Sequence, residues 1–155
     1  MKSNYNKAAA SELINEIGAS PEMLVQILNA FVEEFSYISD EAIRHIADEV
    51  NLSRADVHGV VSFYHDHRTK LPGKQIVKIC QAESCQAMGS NALTAHAEKT
   101  LGVTMHETSD DGEVTLEPIY CLGNCACSPA IMINNRVFGR VDTKRFDALV
   151  AATKD

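Results

Sequence analysis

The chain has 155 residues, about one domain by length with room for a small helical extension. Hydrophobic residues make up 45% of it and charged residues 23%, a composition typical of soluble globular proteins that excludes disordered, collagen-like and low-complexity classes. The net charge of −7 makes nucleic acids and anionic membranes poor partners, because both carry negative charge.

The start of the chain and its apolar runs give no sign of export or membrane insertion. Residues 1–5 have no apolar stretch followed by a small-residue cleavage site. No apolar run approaches the length of roughly 18 residues that a membrane-spanning helix needs. We therefore expect a cytoplasmic protein without direct membrane insertion.

The first half of the chain has helical periodicity, since its apolar residues recur three and four positions apart. Four helices are predicted, over residues 8–17, 20–36 and 39–50 and from residue 53 onward. Gly18 ends the first helix, and Ser20 caps the second with Pro21 at its first position. Ser53 and Asp56 form a capping box at the start of the fourth.

The turn sequence Leu71-Pro72-Gly73 separates this helical region from a second region rich in short strands. Strands are predicted at 75–79, ending at Cys80, and at 104–107, 114–119, 130–133 and 137–141, with helices at 91–100 and 142–151. Asp111-Gly112 and Asn134-Asn135 read as tight turns. The predicted fold class is α+β: a helical bundle over residues 1–73, then a mixed sheet with packed helices over 74–155.

All five cysteines lie in two short segments of the second region, Cys80-Gln-Ala-Glu-Ser-Cys85 and Cys121-Leu-Gly-Asn-Cys125-Ala-Cys127. Each segment follows an apolar strand, so both loops can meet at one edge of the sheet and present four thiolates together. A two-iron two-sulfur cluster and a structural zinc ion both suit this spacing. Buried packing is a weaker interpretation, and dithiol redox catalysis is disfavoured because the chain has no C-x-x-C pair.

These motifs resemble a known family. Cys80-x4-Cys85, the Cys121-Leu-Gly-Asn-Cys125 loop and the following Ser128-Pro129-Ala130 are similar to those of the thioredoxin-like two-iron ferredoxins, which include the 24-kDa-type subunit of respiratory complex I. The segments 60–64 and 72–74 also look like that family's. The Cys-Ala-Cys-Ser-Pro variant most resembles the gamma subunit of NAD-dependent molybdenum formate dehydrogenases, with subunits of NAD-reducing hydrogenases and complex I as near relatives.

The resemblance implies a thioredoxin-like sheet domain in which Cys80, Cys85, Cys121 and Cys125 ligate one 2Fe-2S cluster. Cys127 lies where relatives vary, so it is a buried neighbour that tunes the site, a spare thiolate or a substitute ligand. The fold also implies a cis peptide bond between Ser128 and Pro129. No catalytic residue is expected in this chain.

The resemblance further implies an electron-transfer subunit of a formate dehydrogenase, or the equivalent subunit of an NAD-reducing hydrogenase or complex I. No G-x-G-x-x-G or phosphate loop follows a strand, so FMN, NAD and molybdenum cofactor are expected only on partners. Those partners are a flavin- and NAD-binding subunit and a larger iron–sulfur and molybdenum subunit. A zinc-stapled interaction module is the alternative of another class.

Two further patterns in the helical region allow other interpretations. Residues 46–57 resemble a helix-turn-helix, but residues 1–73 hold 11 acidic and 6 basic side chains, which disfavours DNA, and docking on a partner subunit is the preferred interpretation. His65-Asp66-His67 is a candidate divalent-metal triplet, although a solvated turn at a helix end is the commoner meaning of such a sequence.

Overall fold

The computed structural model describes residues 5–153, and the chain divides into two compact units, Met1–Leu71 and Pro72–Asp155. This division lies two residues before the predicted boundary. The described part of the first unit is helical, with four α-helices: α1 (Lys7–Ile17), α2 (Leu24–Phe35), α3 (Asp40–Glu49) and α4 (Arg54–Phe63). Within residues 5–153, no helix is long and apolar enough to cross a membrane.

The predicted helix ends are confirmed except at the start of α2. Gly18 ends α1 with φ +113°, and the capping box of Ser53 and Asp56 is present at α4. The hydroxyl of Ser20 makes no capping hydrogen bond, so that prediction is wrong. Instead, the Met23 amide donates to the Ser20 carbonyl at 3.1 Å, and Pro21–Met23 forms a 3-10 turn before the α-helix begins.

The first unit has its own apolar core, to which α1, α2, α3 and α4 all contribute. A polar network lies beside it around His45, which is 6% exposed. The Tyr5 hydroxyl lies 2.8 Å from Nδ1 of His45, and the Ser11 hydroxyl lies 2.9 Å from Nε2 and donates to Glu49 at 3.0 Å. Hydrogen bonds from Ser11 and His45 lower the pKa of Glu49. The network therefore ties α1 to α3 and gives His45 a structural role.

The capping box at α4 is expected to contribute measurably to stability. The Ser53 hydroxyl accepts from the Asp56 amide at 3.1 Å, and Ser53→Ala should lower the free energy of unfolding by about 1 kcal/mol in urea titrations. Ser62→Ala is the matched control, because the Ser62 hydroxyl only donates to the Gly59 carbonyl within α4. Equal losses in the two variants would show that the cap is not what stabilises this helix.

The second unit is a five-stranded mixed sheet with helices. Its strands are β1 (Gln75–Cys80), β2 (Glu107–Thr108), β3 (Val114–Ile119), β4 (Ile131–Ile133) and β5 (Arg136–Phe138), in the order β2-β3-β1-β4-β5. Strands β1 and β3 are parallel, and the other neighbours are antiparallel. Its helices are α5 (Glu83–Ala87), α6 (Ser90–Leu101) and α7 (Thr143–Ala152). The predicted α+β class, with a mixed sheet and packed helices in this unit, is therefore confirmed.

The core of this unit lies between the sheet and its helices. Its completely buried side chains include Val77 of β1, Leu116 of β3, Ile131 of β4 and Phe146 of α7. Helix α6 packs against both α7 and β1. The two neighbouring strands β1 and β3 thus lead from this core directly to the cysteine loops.

Several predicted boundaries in the second unit need correction. The strand predicted at 104–107 is only the short β2, because His106 adopts φ +71°, which interrupts an extended chain. The strand predicted at 137–141 ends at Phe138, and Arg140 has φ +52°. Helix α5 was not predicted. The Asn134-Asn135 turn has positive φ at both residues, as predicted, and the Ser128-Pro129 bond is cis.

Candidate metal centre

The two cysteine loops leave the same edge of the sheet. Because β1 and β3 are parallel, their carboxyl ends lie together, and Cys80 is in register with Ile119. Cys80 is the last residue of β1, and Cys121 follows the end of β3 by two residues. This is the arrangement expected from two apolar strands that each lead into a cysteine loop.

The first thiol pair is buried. Cys80 and Cys85 are each 2% exposed and cluster with Ala130. The Cys80 amide donates to the Ala130 carbonyl at 3.1 Å, which fixes the end of β1. Cys85 lies in α5, with its Sγ 3.5 Å from the Ser128 hydroxyl. The short helix that the sequence did not reveal therefore positions one predicted ligand.

The second thiol pair is exposed and closely spaced. The Sγ atoms of Cys121 and Cys125 are 3.6 Å apart. Two thiolates bound at about 2.3 Å to one tetrahedral metal lie about 3.8 Å apart, so this spacing suits a shared metal centre. The Gly123 amide donates to the Cys121 sulfur at 3.3 Å, as expected for a backbone amide near a cluster sulfur. The Gly89 amide, in contrast, donates to the Gln86 carbonyl at 3.0 Å.

The two pairs interact with one another. A hydrogen bond with Cys121 and the charge of its thiolate raise the pKa of Cys125, and burial and the charges of Cys85 and Cys80 act in the same direction. The Ser84 hydroxyl also lies 2.8 Å from that of Ser128, which joins α5 to the second loop. The negative charges of the other three thiolates thus oppose ionisation of Cys125, and positively charged iron would relieve that repulsion.

The donor set therefore fits a two-iron two-sulfur cluster in chemistry and in number. Across residues 5–153, no three His, Cys, Asp or Glu side chains converge closely enough to hold a single metal ion. A two-iron cluster with four cysteine ligands takes them as two pairs, one for each iron. The exposed pair has the spacing for one iron, and the buried pair is the candidate for the other.

Cys127, the fifth cysteine, contacts the segment that follows β5. It is half-buried at the end of a 3-10 turn, Cys125–Cys127. Its carbonyl accepts the Arg140 amide at 2.5 Å, and its Cβ lies close to Gly139. These contacts join the second cysteine loop to the chain after β5, and the choice between a tuning and a ligating role stays a prediction.

The histidine triplet is not assembled as a metal site. His65 is exposed, whereas His67 is buried, with Nε2 2.9 Å from the Asn29 side-chain oxygen. Burial lowers the pKa of His67. The expectation of a solvated turn is therefore wrong for His67, which packs within the helical unit.

Exposed apolar side chains flank the cysteine loops. Met88, just after α5, is 62% exposed, and Tyr120, just before Cys121, is 65% exposed. Neither residue stands out in the sequence, although Tyr120 adjoins a proposed ligand. Large apolar side chains left in solvent beside a functional site are typical of contact surfaces.

Comparison with known proteins places the chain among homologues. The family model described as "Thioredoxin-like [2Fe-2S] ferredoxin" matches residues 10–154. An NADH-quinone oxidoreductase subunit from Buchnera aphidicola (subsp. Baizongia pistaciae) is 35% identical over 118 residues, which cover 76% of this chain and 69% of that protein. An NADH-quinone oxidoreductase subunit from Mycobacterium tuberculosis (strain H37Rv) is 32% identical over 154 residues, covering 94% of this chain but only 61% of that protein.

A solved structure supports the fold. The crystal structure of an air-oxidized NAD+-reducing [NiFe]-hydrogenase superposes with a TM-score of 0.72 at 22% identity, covering 83% of this chain and 22% of that chain. The match of the family model over nearly the whole sequence carries the assignment. The chain belongs to the thioredoxin-like [2Fe-2S] ferredoxin family.

Proposed function

We propose that this chain is an electron-transfer subunit that holds one 2Fe-2S cluster within a larger NAD-linked oxidoreductase. The observation that carries the proposal is that, in a member of this family, the two cysteine loops leave one edge of the sheet and are joined by hydrogen bonds of Ser84 to Cys125 and Ser128. A bound cluster of this kind accepts and returns one electron at a time. We assign no catalytic residue to this chain.

The proposed ligands are Cys80, Cys85, Cys121 and Cys125. The residues around them would set the reduction potential of the cluster. Burial of the first pair keeps water from two of the four sulfurs. The Gly123 amide stabilises negative charge on the Cys121 sulfur, which raises the reduction potential. Residues 79–117 hold seven acidic side chains and one lysine, and this excess of negative charge acts in the opposite direction.

In this proposal, the partner subunits bind the cofactors that carry out hydride transfer. NAD, FMN and, in a formate dehydrogenase, molybdenum cofactor would be bound by a flavin- and NAD-binding subunit and by a larger iron–sulfur and molybdenum subunit. The Cys-Ala-Cys-Ser-Pro motif at 125–129 favours the formate dehydrogenase assembly. The names of the relatives favour the equivalent place in NADH-quinone oxidoreductase. The five unpaired cysteines suit the reducing cytoplasm, where we place the complex.

The proposed division of labour predicts the behaviour of the purified chain. With its cluster, the chain alone should take up one electron from dithionite yet oxidise neither NADH nor formate, because hydride carries two electrons and the flavin is on the partner. Adding the flavin subunit should allow NADH to bleach the cluster absorbance. Robust NADH oxidation by the chain alone would contradict the proposal, because it would show that this chain, and not the flavin subunit, oxidises NADH.

The helical unit, residues 1–73, is the proposed docking element. Phe63 and Tyr64, at the end of α4, are 74% and 43% exposed and pack edge to face at 5.1 Å. Such aromatic surface is typical of a protein interface. The acidic side chain of Asp56 lies on the first turn of α4, where it would oppose a phosphate backbone, so a protein partner is favoured over DNA.

A shortened chain that begins at Lys74 is therefore expected to keep its cluster but fail to join the complex. Copurification with the partner subunits is the measurement, and the full chain with Phe63→Ser is the companion variant that keeps both units. Normal assembly of both forms would remove the docking role from this unit.

A further inference from the structure

The exposed cysteine pair, Cys121 and Cys125, is also placed to form a disulfide bond. We propose that in the cluster-free chain Cys121 and Cys125 are oxidised by a small disulfide, such as oxidised glutathione, to an intramolecular disulfide that blocks iron uptake until it is reduced. The disulfide itself depends only on the two thiols. The block on iron uptake rests on the ligand set proposed above.

The geometry already brings the two sulfurs into contact. Their Sγ atoms are 3.6 Å apart, and a disulfide bond needs about 2.05 Å, so they must approach by roughly 1.5 Å. Both side chains are exposed and lie in a loop that turns back on itself at Gly123, which has φ +70°. A small rotation of two solvent-facing side chains can close that gap without moving the core of the sheet.

Burial makes the reaction selective for this pair. Cys80 and Cys85 are each 2% exposed and are held at the end of β1 and in α5, where a dissolved oxidant has little access. Cys127 is half-buried and packs against Gly139. Of the five thiols, only Cys121 and Cys125 combine exposure with a sulfur neighbour at this distance among the described residues.

The exchange balances in two steps. One cysteine thiolate attacks a sulfur of oxidised glutathione, forming a mixed disulfide and releasing one glutathione thiolate. The second cysteine thiolate then attacks the mixed disulfide at the protein sulfur and releases the second glutathione. Two electrons pass from the cysteine pair to oxidised glutathione, and the two protons end on the two glutathione molecules. Reduced thiols in excess reverse the exchange.

The consequence for iron follows from the ligand pairing. A metal ligand must be a thiolate, and a disulfide sulfur has lost that capacity. The disulfide would occupy both ligands of one iron at once, whereas Cys80 and Cys85 would stay reduced. Cluster insertion in the proposed subunit would therefore depend on the thiol redox state of its surroundings.

The test uses the full chain, freed of metal under reducing conditions and then incubated with oxidised glutathione. Peptide mapping by mass spectrometry should find Cys121 linked to Cys125, with a loss of two hydrogen atoms, and alkylation should label the other three cysteines. The oxidised chain should lose most of its iron uptake in reconstitution, and dithiothreitol should restore it.

Matched variants separate the possible outcomes. Cys127→Ser should form the same disulfide, and Cys121→Ser should give a glutathione adduct on Cys125 instead. A Cys125–Cys127 link, or glutathione adducts alone on the natural sequence, would overturn the proposal. Iron uptake by the disulfide form would overturn both the block and the assignment of this pair as ligands. Absence of the disulfide together with iron loss in Cys121→Ser would overturn the proposal but leave that assignment standing.

Discussion

Serine in place of any one of Cys80, Cys85, Cys121 or Cys125 is expected to remove most of the cluster, whereas Cys127→Ser keeps it. Each iron needs two protein sulfurs to complete its tetrahedron, so the loss of one thiolate leaves one iron incompletely held. Serine preserves the size of the side chain but binds iron more weakly than a thiolate. The effect should be largest at Cys80 and Cys85, because both are 2% exposed and a replacement ligand from solvent has little access to them.

Iron and acid-labile sulfide per chain, measured after purification, decide this prediction. The Cys127→Ser variant is the matched control, because it lies two residues from a proposed ligand and changes the same atom. Loss of iron in Cys127→Ser with retention in Cys125→Ser would exchange the roles of these two cysteines.

Alanine at position 139 is expected to disrupt the second cysteine loop. A Cβ there would lie 2.6 Å from the Cys127 Cβ and 2.9 Å from the Cys127 carbonyl oxygen. The Asn124 side chain, also 2.6 Å away, can move aside, but the backbone of the Cys125–Cys127 turn must shift. Overpacking of this kind costs about 1–3 kcal/mol, and the shift would separate Cys125 from Cys121.

The expected result for Gly139→Ala is a lower melting temperature together with a several-fold loss of iron. Gly59→Ala is the control, since Gly59 lies inside α4 and a Cβ there meets nothing within 4 Å. That control should be more stable by about 0.5–1 kcal/mol, as alanine favours a helix over glycine. An unchanged iron content in Gly139→Ala would show that the loop position does not depend on this close contact.

Most of the architecture could be predicted because its signals are local. The helical periodicity of residues 24–35, the capping box at Ser53 and the asparagine turn at 134–135 each act within a few residues. The shared sheet edge of the two cysteine loops was also predictable, since each loop follows an apolar strand. The family motif then implied the ligand set, which the spacing alone left open between iron and zinc.

What the sequence did not reveal depends on short segments and distant contacts. Helix α5 has five residues, too few to display a periodicity, yet it carries Cys85. The end of β5 is set where Gly139 meets the Cys127 turn, a contact between segments that periodicity does not report. His67 follows the end of α4 and is buried with its Nε2 2.9 Å from the side-chain oxygen of Asn29 on α2, a contact between residues 38 positions apart. Each of these features depends on a short segment or on a contact between residues far apart in the sequence, so local sequence patterns do not predict it.

Whether this chain holds one 2Fe-2S cluster is tested most directly by metal and sulfide analysis of the purified full chain combined with electron paramagnetic resonance. We predict about two iron and two sulfide per chain, a brown-red oxidised form and a paramagnetic signal after reduction by one electron. A colourless chain that contains zinc and gives no signal on reduction would contradict this prediction and favour a zinc-stapled interaction module.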